Sequence, residues 1–391
     1  MRSSVLTEEK LAASLPAKVV SAALDHAARL VPGKTTIPIL SNVLIDARRK
    51  ADGTGELLVI STNLDQSVTL RVPAEVTAPG SATVPAKILA DTMKKAPDNA
   101  TATFKAKDGE LHLSYGRSRF RLATLPAVDF PTFGTPLDPV PQVGEGKAVF
   151  TLEAATLCDM LDAVDAAISK EVTRFYLCGV YLHRHGDRLR AVATNGHVLA
   201  LREVPAPEGS EALAGGILPP DLSRIACSLW AKSKDVLKIS IDKSRVLIEG
   251  EAVAVCSKLI DGTYPDYERV VPRGGTSALA MPAAPLASAI ERIVTVDTGK
   301  TRSIKMSMDG GEISLAARHE GSAASETLDG ATASEIADGY AIGFSARYAL
   351  DALRSLPGEA VEIQMSTPGD PMLWRNPAEA GALWVVMPLR V

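Results

Sequence analysis

Two short stretches of the sequence carry residue types that enzymes use for chemistry. His197 lies in AVATNGHVLAL at residues 191–201, and with Asp266 it would supply the base and the orienting acid of a hydrolase. The stretch PGKTT at residues 32–36 has the lysine and threonine of a phosphate-binding loop. A GxSxG nucleophile turn is absent, however, and Ala28 stands where a phosphate loop needs its first glycine. A hydrolase using His197 is therefore the weakest of the functions that we consider.

The cysteines do not have the spacing of a metal site. Cys158, Cys178, Cys227 and Cys256 all lie in the middle third of the chain, without a CxxC pair and without a histidine at a zinc-finger interval. Cysteine is commonly buried as a reduced thiol. We therefore expect no bound metal, no cofactor and no catalytic residue.

The composition is that of a protein that does not hold nucleic acid by charge alone. The chain has 391 residues, too many for one ordinary core, and its formal net charge is −4. Proteins that grip phosphates tightly are normally basic. The N-terminus lacks the apolar segment of a signal peptide, and no run of about 18 apolar residues predicts a membrane span. We expect a cytoplasmic protein without membrane contact.

The Thr-Asn step beside His197 has a second copy in the chain. Residues 59–69 read VISTNLDQSVT, and both stretches pass from apolar residues through Thr-Asn and a polar break into a strand-like segment. The corresponding stretch in the last third is LAARHEG. A strand junction would be copied with a duplicated fold, whereas a catalytic loop need not be. The sequence therefore predicts one structural joint at the same place in repeated units.

Pairs of amphipathic helices recur at intervals of roughly 130 residues, and runs typical of β-strands separate them. Turn sequences precede equivalent strands at residues 52–53, 186–187 and 309–310. The predicted helices are KVVSAALDHAARLV, PAKILADTMKKAP, ATLCDMLDAVDAAI, PPDLSRIACSLWAK, APLASAIERIV and SARYALDALRSLP.

Two linkers rich in proline or glycine, PTFGTPLDPVPQVGEG and VPRGGTS, separate the three repeats. We therefore predict an α+β fold of three domains, 1–141, 142–272 and 273–391, each with two helices packed on antiparallel β-sheets.

Six blocks of sequence resemble the bacterial DNA polymerase III beta subunit family, the replicative sliding clamps. In chain order they are TIPILSNVLI, GRSRFRLATLPAVDFP, RFYLCGVYL, VATNGHVLA, SKLIDGTYPDYERVVP and WVVMPLRV, and the resemblance covers almost the whole chain. It implies a head-to-tail homodimer whose six domains form a ring, with helices lining the hole and sheets forming the rim. Such a ring encircles double-stranded DNA independently of sequence. It tethers the replicative polymerase, the clamp loader and other partners through short peptides, and so confers processivity without catalysis.

Encirclement would explain how an acidic protein holds DNA, since a mildly basic lining is then sufficient. Asp159, Asp162 and Asp165 lie off the apolar face of the third predicted helix, so we expect them to be turned sideways or that helix to avoid DNA. From the basic helices and the resemblance together, the candidate DNA-binding residues are Lys34, Lys87, Lys94, Lys170, Phe175, Tyr176, Arg224 and Arg347.

The resemblance also implies an apolar groove for partner peptides between the second and third domains. Its residues carry over as Arg174, Tyr176, Leu177, Thr194, Gly196, His197, Val198, Leu199, Pro265, Arg269, Val270, Ser345, Tyr348, Val385, Val386, Met387, Pro388, Leu389 and Arg390. The same resemblance implies a dimer contact in which a first-domain strand meets a third-domain helix. Its residues carry over as Arg117, Arg119 and Leu122 on the strand and Ile290, Val294, Thr295 and Val296 on the helix.

Two positions depart from the pattern of the family. Asn195 stands where aspartate is common, and Val198 stands where a basic residue is common, so we expect a more apolar groove rim. An alternative to a housekeeping clamp is therefore a specialised copy with altered partner or inhibitor binding.

Overall fold

One structural module occurs three times along the chain. The computed structural model describes residues 11–134, 138, 140–144, 146–273, 277–299 and 301–390. The first module contains β1 (Leu11–Pro16), α1 (Ala17–Leu30), β2 (Asn42–Arg49), β3 (Gly55–Thr62), β4 (Gln66–Pro73), β5 (Glu75–Ala78), β6 (Gly80–Pro85), α2 (Ala86–Met93), β7 (Thr101–Lys107), β8 (Glu110–Tyr115) and β9 (Ser118–Ala123).

Among the described residues, the second module repeats this order without a counterpart of β5, and the third repeats it in full. The second contains β10 (Ala148–Glu153), α3 (Ala154–Asp165), β11 (Val180–His185), β12 (Arg188–Thr194), β13 (Val198–Pro205), β14 (Gly216–Leu218), α4 (Pro220–Trp230), β15 (Val236–Ile241), β16 (Arg245–Glu249) and β17 (Val253–Lys258). The third contains β18 (Ser277–Pro282), α5 (Ala283–Ile293), β19 (Ser303–Asp309), β20 (Glu312–His319), β21 (Ser322–Thr327), β22 (Thr332–Ser334), β23 (Ala341–Ser345), α6 (Ala346–Ser355), β24 (Ala360–Met365), β25 (Met372–Arg375) and β26 (Ala382–Val386).

All six predicted helices are confirmed, and the first helix of each module buries its apolar face. Val20 and Leu24 of α1 are inaccessible to solvent, as are Leu161 of α3 and Ile290 of α5. The first helix of each module is held at its start by the same hydrogen bond. The N–H groups of the residues that begin α1, α3 and α5 donate to carbonyls just before β7, β15 and β24, at 2.8, 2.9 and 2.8 Å. In the described ranges, no helix is long and apolar enough to cross a membrane.

Each module supplies two antiparallel strand sets with one topology. The first set is ordered β4-β3-β2-β6, and its counterparts are β13-β12-β11-β14 and β21-β20-β19-β23. The second set is ordered β1-β7-β8-β9, with counterparts β10-β15-β16-β17 and β18-β24-β25-β26. These matching orders confirm the three-fold repeat that the sequence predicted.

Strands of consecutive modules pair edge to edge, and the pairing organises the chain into two compact units. One unit comprises residues 1–154 and 232–258, and the other comprises residues 155–231 and 259–391. In the first unit β17 pairs with β4, with Ser257 opposite Gln66. In the second unit β26 pairs with β13, with Val386 opposite Val198. The four residues hold equivalent places in their modules, so both junctions have the same register.

The Thr-Asn step forms a tight turn between β3 and β4. The Asn63 side-chain oxygen accepts hydrogen bonds from the backbone N–H groups of Asp65 and Gln66, at 3.0 and 2.7 Å. The Thr62 hydroxyl donates to the Gln66 carbonyl at 2.8 Å and accepts from the Leu64 N–H at 3.1 Å. Leu64 has a φ of 76°, which the turn imposes on a residue with a side chain.

The second Thr-Asn step makes the same hydrogen bonds between β12 and β13. Asn195 accepts from the N–H groups of His197 and Val198 at 2.9 and 3.1 Å. The Thr194 hydroxyl donates to the Val198 carbonyl at 2.6 Å and accepts from the Gly196 N–H at 3.1 Å. Gly196 has a φ of 89°, a conformation that glycine adopts readily. The prediction of one joint used repeatedly is confirmed for these two copies.

The predicted domain boundaries at 141 and 272 fall in the connectors between β9 and β10 and between β17 and β18. Their positions remain predictions. The linker residues 135–137, 139, 145 and 274–276 lie outside the described residues. All four cysteines are free thiols, but only Cys158 and Cys256 are buried as the sequence predicted, whereas Cys178 and Cys227 are half-buried.

Replacing Asn63 with alanine removes the acceptor for two backbone N–H groups at the first joint. We expect Asn63→Ala to lower the free energy of unfolding by about 1–3 kcal/mol, because both donors lose their partner. Urea unfolding monitored by circular dichroism measures this change.

The matched control is Asn63→Asp, which retains a side-chain oxygen at the same position. Its free energy of unfolding should stay within about 1 kcal/mol of the unsubstituted protein. Equal losses in both variants would show that the side-chain oxygen does not hold the turn.

Candidate partner groove and DNA-facing residues

The second joint places His197 beside the end of the chain. Because β13 pairs with β26, the residue after β26 continues alongside the turn, and the Met387 N–H donates to the His197 carbonyl at 3.0 Å. The Leu389 N–H in turn donates to the Gly343 carbonyl of β23 at 2.8 Å. The last residues of the chain are thereby fixed between the joint and β23.

Tyr348 of α6 forms the third side of this surface. Its ring stacks on the His197 imidazole, with centroids 6.3 Å apart and planes inclined by 17°. The Asn195 Nδ2 lies 3.5 Å from the Tyr348 hydroxyl. The structure therefore brings together the two sequence segments that were predicted to form a partner groove.

The predicted groove residues divide into a surface and a floor. Those with exposed or half-exposed side chains are Arg174, Tyr176, Thr194, Gly196, His197, Pro265, Arg269, Val270, Tyr348, Met387, Pro388, Leu389 and Arg390. Those that are buried are Leu177, Val198, Leu199, Ser345, Val385 and Val386.

The expectation that Val198 makes the groove rim more apolar is wrong. Val198 is only 1% exposed, because the first position of β13 pairs with Val386 inside the sheet. Asn195 likewise has a structural role, as the acceptor that closes the joint. The two features that suggested a specialised copy are thus explained by the fold.

An ion pair at the rim was missed by the sequence reading. Glu171 pairs with the Arg174 guanidinium, and Arg174 Nη2 also donates to the Asn195 carbonyl at 3.2 Å. Hydrogen bonds from Arg174 and then Thr173 hold the pKa of the Glu171 carboxyl below its usual range. The spacing Glu-x-x-Arg was the available signal, since residues three apart meet on one turn of a helix.

A buried aromatic and aliphatic cluster supports the groove floor. Leu177, Leu199 and Val385 belong to it together with Tyr264 and Tyr267. Beside it, the Tyr181 and Tyr264 rings stack with centroids 4.7 Å apart. The accessible side chains of the candidate groove therefore lie over a packed apolar floor.

The candidate DNA-binding residues differ in their internal partners. Lys34, Lys87 and Lys170 are exposed and form no ion pair within the described residues. Phe175 is 51% exposed, and Tyr176 is half-buried. The remaining cations are paired internally: Lys94 with Asp25, Arg224 with Asp221 at 2.7 Å, and Arg347 with Asp351 at 3.7 Å.

The three aspartates of α3 are exposed, and one of them is turned toward a neighbouring strand. The Arg202 Nε of β13 donates to the Asp159 carboxylate at 2.8 Å. The expectation that the acidic groups of α3 are turned sideways is thus met by Asp159, and it stays a prediction for Asp162 and Asp165.

Two of the predicted dimer assignments need correction. Arg117 lies in the turn before β9 and not in the strand, whereas Arg119 and Leu122 are in β9. Ile290 is 0% exposed and belongs to the core of the third module, because it is on the buried face of α5. The other three residues, Val294, Thr295 and Val296, lie in the 3-10 turn after α5 and are buried, exposed and half-buried respectively.

The hydrolase reading has no geometric basis in the described residues. Asp266 accepts a hydrogen bond from Arg269 at 2.7 Å, and no contact joins it to His197. His197 instead faces Tyr348.

The three modules also match known proteins in order. Residues 15–134, 151–266 and 268–390 match the N-terminal, central and C-terminal domains of the DNA polymerase III beta subunit. The chain belongs to the DNA polymerase III beta subunit family. Its function is accordingly that of a sliding clamp, a processivity factor of DNA replication.

Curated relatives and solved structures agree with this assignment. The beta sliding clamp of Caulobacter vibrioides is 36% identical over 376 residues, which cover 94% of this chain and 97% of that protein. The Escherichia coli beta sliding clamp is 30% identical over 362 residues, covering 92% and 94%. The Caulobacter crescentus pol III beta structure has a TM-score of 0.88 at 34% identity, covering 97% of this chain and all of that one. The griselimycin-bound sliding clamp of Bartonella birtlesii also has a TM-score of 0.88, at 31% identity, covering 98% and 100%. The specialised-copy and hydrolase alternatives are not favoured.

The environment of His183 predicts that the free energy of unfolding depends on pH. Its Nδ1 lies 3.1 Å from the Arg184 carbonyl and its Nε2 lies 2.9 Å from the Tyr267 hydroxyl, so the neutral ring donates through Nδ1 and accepts through Nε2. Burial lowers the pKa of His183, the hydrogen bond to the Arg184 carbonyl and the charge of Glu268 oppose this, and the nearby Arg190 and His185 lower the pKa further.

The unfolded chain therefore binds a proton at His183 more readily than the folded chain does. We expect the free energy of unfolding to fall as the pH drops below about 6.5, by at most about 1.4 kcal/mol per pH unit for this one group. Urea unfolding between pH 7.5 and pH 5 measures the slope. His183→Gln retains hydrogen bonding but cannot titrate, so its slope should be smaller; an unchanged slope would assign the effect to other groups.

Proposed function

We propose that two copies of this chain close head to tail into a ring that encircles double-stranded DNA. The supporting observation is the repeated edge pairing. In both junctions the last strand of a second set pairs with the strand that comes first in the order of the preceding module's first set, β17 with β4 and β26 with β13. Among the described residues, β9 and β21 are the two corresponding edges that make no such pairing. An exposed strand edge favours pairing with another chain.

The internal register predicts which residues face each other across the ring contact. Leu122 of β9 holds the place of Ser257 and Val386, and Ser322 of β21 holds the place of Gln66 and Val198. We therefore place Leu122 opposite Ser322 of the second copy, and Arg119 opposite Ser325. Such a contact is used twice in a dimer and closes the ring.

Encirclement reconciles a net charge of −4 with a DNA-binding function. A closed ring persists on DNA without tight phosphate contacts, and an acidic body disfavours contacts that would slow its movement. We assign the weak guiding contacts to Lys34, Lys87 and Lys170, which are exposed and free of internal ion pairs within the described chain. Lys94, Arg224 and Arg347 would contribute after exchanging their carboxylate partners, and Phe175 and Tyr176 would add contacts near Lys170.

The surface around Tyr348, His197 and Met387 is the proposed docking groove for partner peptides. Aromatic and aliphatic side chains lie there beside Arg174, Arg269 and Arg390 over an apolar floor, so apolar burial would supply most of the affinity, at about 25 cal/mol per Å² before ordering costs. Methionine adapts to differently shaped ligands, which suits a site shared by polymerase, clamp loader and other proteins. The chain itself would act in the cytoplasm as a non-catalytic accessory subunit.

A topological hold on DNA should disappear when the DNA is cut. We expect the protein, once loaded onto nicked circular DNA by a clamp loader, to remain bound through gel filtration and to dissociate after linearisation. Simple electrostatic binding would survive linearisation and weaken with salt. Retention that is equal on circular and linear DNA would contradict the ring.

The predicted register can be tested with paired cysteines. Residues directly opposite in an antiparallel pair have Cβ atoms about 4.5–5.5 Å apart, close enough for a disulfide after a small adjustment. We expect Leu122→Cys with Ser322→Cys to give a covalent dimer on a non-reducing gel. Leu122→Cys with Ala324→Cys is the matched control, displaced by two residues, and it should crosslink far less. Equal crosslinking, or none in the first pair, would refute the register.

A further inference from the structure

The helix pairs of the three modules differ at one position, and in the second module a cysteine occupies it. The first helix of each module carries an acidic residue eight positions after the residue that begins the helix: Asp25 in α1, Asp162 in α3 and Glu291 in α5. Near the end of the second helix, directly after a buried residue, the modules carry Lys94, Cys227 and Arg354. The three helix pairs can therefore be compared position by position.

In the first and third modules an ion pair joins the two helices at this place. The Lys94 ammonium pairs with the Asp25 carboxylate, and Arg354 Nη2 lies 3.3 Å from the Glu291 carboxylate. In the second module Cys227 stands at the basic position, so the same ion pair cannot form. The second module has therefore kept the acidic residue and carries a thiol in place of its cation.

The Cys227 thiol of α4 meets a second cysteine on α3. Its Sγ lies 3.9 Å from the carbonyl oxygen of Cys158, which precedes Asp162 by about one turn of the helix. Cys158 is 3% exposed, whereas Cys227 is half-buried. A small solute can therefore reach the pair from the side of Cys227.

The two thiols also interact with each other directly. The hydrogen bond between them lowers the pKa of Cys158, and burial and the charge of Asp162 oppose this. The same hydrogen bond raises the pKa of Cys227, and burial and Asp162 raise it further. The pair therefore loses a first proton more readily than a second, and it then contains one thiolate beside one thiol.

A thiolate next to a thiol is the arrangement from which a disulfide forms on oxidation. The thiolate is the form that a peroxide oxidises to sulfenic acid, and a neighbouring thiol condenses with that acid. Where the surroundings keep thiols reduced, disulfides are usually transient and respond to oxidants. Asp162 slows this chemistry, because its charge disfavours a second negative charge nearby.

We propose that Cys158 and Cys227 form an oxidant-sensitive modification site, at which a hydroperoxide converts the two thiols into a disulfide that joins α3 to α4. The disulfide would take the place that the ion pairs Lys94–Asp25 and Arg354–Glu291 have in the other modules. The helices of the second module would then be joined covalently, and only under oxidising conditions. The proposal does not depend on DNA encirclement, on ring closure or on the peptide groove.

The reaction with hydrogen peroxide has two steps. The thiolate sulfur attacks one peroxide oxygen, so that an S–O bond forms, the O–O bond breaks and hydroxide leaves, which takes up the proton that the pair released first. The second sulfur then attacks the sulfenic sulfur, so that the S–S bond forms, the S–O bond breaks and water leaves with the proton of the second thiol. Two thiols and one peroxide thus give one disulfide and two waters, and a dithiol reductant reverses the oxidation.

Mass spectrometry of the oxidised full-length protein tests the site. We expect treatment with about 1 mM hydrogen peroxide to lower the intact mass by about 2 Da, the two hydrogens lost on disulfide formation. A tryptic digest without reductant should then contain residues 148–170, with Cys158, linked to residues 225–232, with Cys227. Dithiothreitol should separate the two peptides. Absence of this linked pair, or a gain of about 32 Da from sulfinic acid on a single cysteine, would overturn the proposal.

The other half-buried cysteine provides the matched control. The Cys178 Sγ lies 3.4 Å from the Glu171 carbonyl oxygen, away from the pair in α3 and α4. Cys227→Ser should abolish the loss of mass on peroxide treatment, whereas Cys178→Ser should leave the yield of the linked peptides unchanged. A loss of mass that persists in Cys227→Ser, or that disappears in Cys178→Ser, would assign the disulfide to other cysteines and overturn the proposal.

The rate of oxidation tests the contact with Asp162. Asp162→Asn retains the shape of the side chain but removes its charge, so more of the pair is deprotonated at a given pH. We expect the variant to form the linked peptides about twofold faster or more at neutral pH. A rate that is unchanged or slower would contradict the placement of Asp162 beside the reacting thiols.

Discussion

Edge-to-edge pairing of strands in a fixed register is the constraint on which the rest of this chain depends. An unpaired strand edge exposes backbone N–H and C=O groups. Burying these groups without hydrogen-bond partners destabilises the folded protein. The chain satisfies two such edges internally, β4 with β17 and β13 with β26. Because β26 must pair along β13, the residues after it are brought to the turn at Asn195. The candidate groove is thus a consequence of the pairing, since the side chains that form it come from segments about 190 residues apart.

The Thr-Asn turn between strands has the same backbone hydrogen bonds in both copies but carries different residues at its tip. Both copies use Thr and Asn side chains to close the turn, so the turn geometry does not depend on the residues at its tip. In the first copy Leu64 occupies the left-handed position, and in the second copy Gly196 does. Glycine is unstrained there, and its missing side chain leaves Arg174 room to reach the Asn195 carbonyl. The residue at the tip of the turn can differ between the two copies, because the hydrogen bonds of the Thr and Asn side chains hold the turn in place.

Periodicity and repetition in the sequence were enough to predict the modules, because amphipathic spacing and copied turns are local signals. All six helices and the joint at Asn63 were predictable for this reason. Burial of individual residues was not predictable from the same signals. Val198 and Ile290 are apolar residues in plausible surface segments, and only the register of β13 and the packed face of α5 place them inside. The internal partners of Lys94, Arg224 and Arg347 were missed for a related reason. The sequence pattern around a helical lysine or arginine is the same whether or not the fold places a carboxylate nearby.

The connectors between β9 and β10 and between β17 and β18 differ in length, whereas the strand register of the modules is the same. Strand register and the Thr-Asn joint are alike in both copies that have them, because a shift of one residue would turn every side chain of a strand to the other face. Connector length has no such restriction, since loops tolerate insertions at a small entropic cost. The longer connector packs Val143 against its sheet face, and the shorter one packs Val271 against the cluster that contains Leu201 and Leu373. Variation in a connector can therefore change which residues cover a sheet face while the paired strands beneath it stay unchanged.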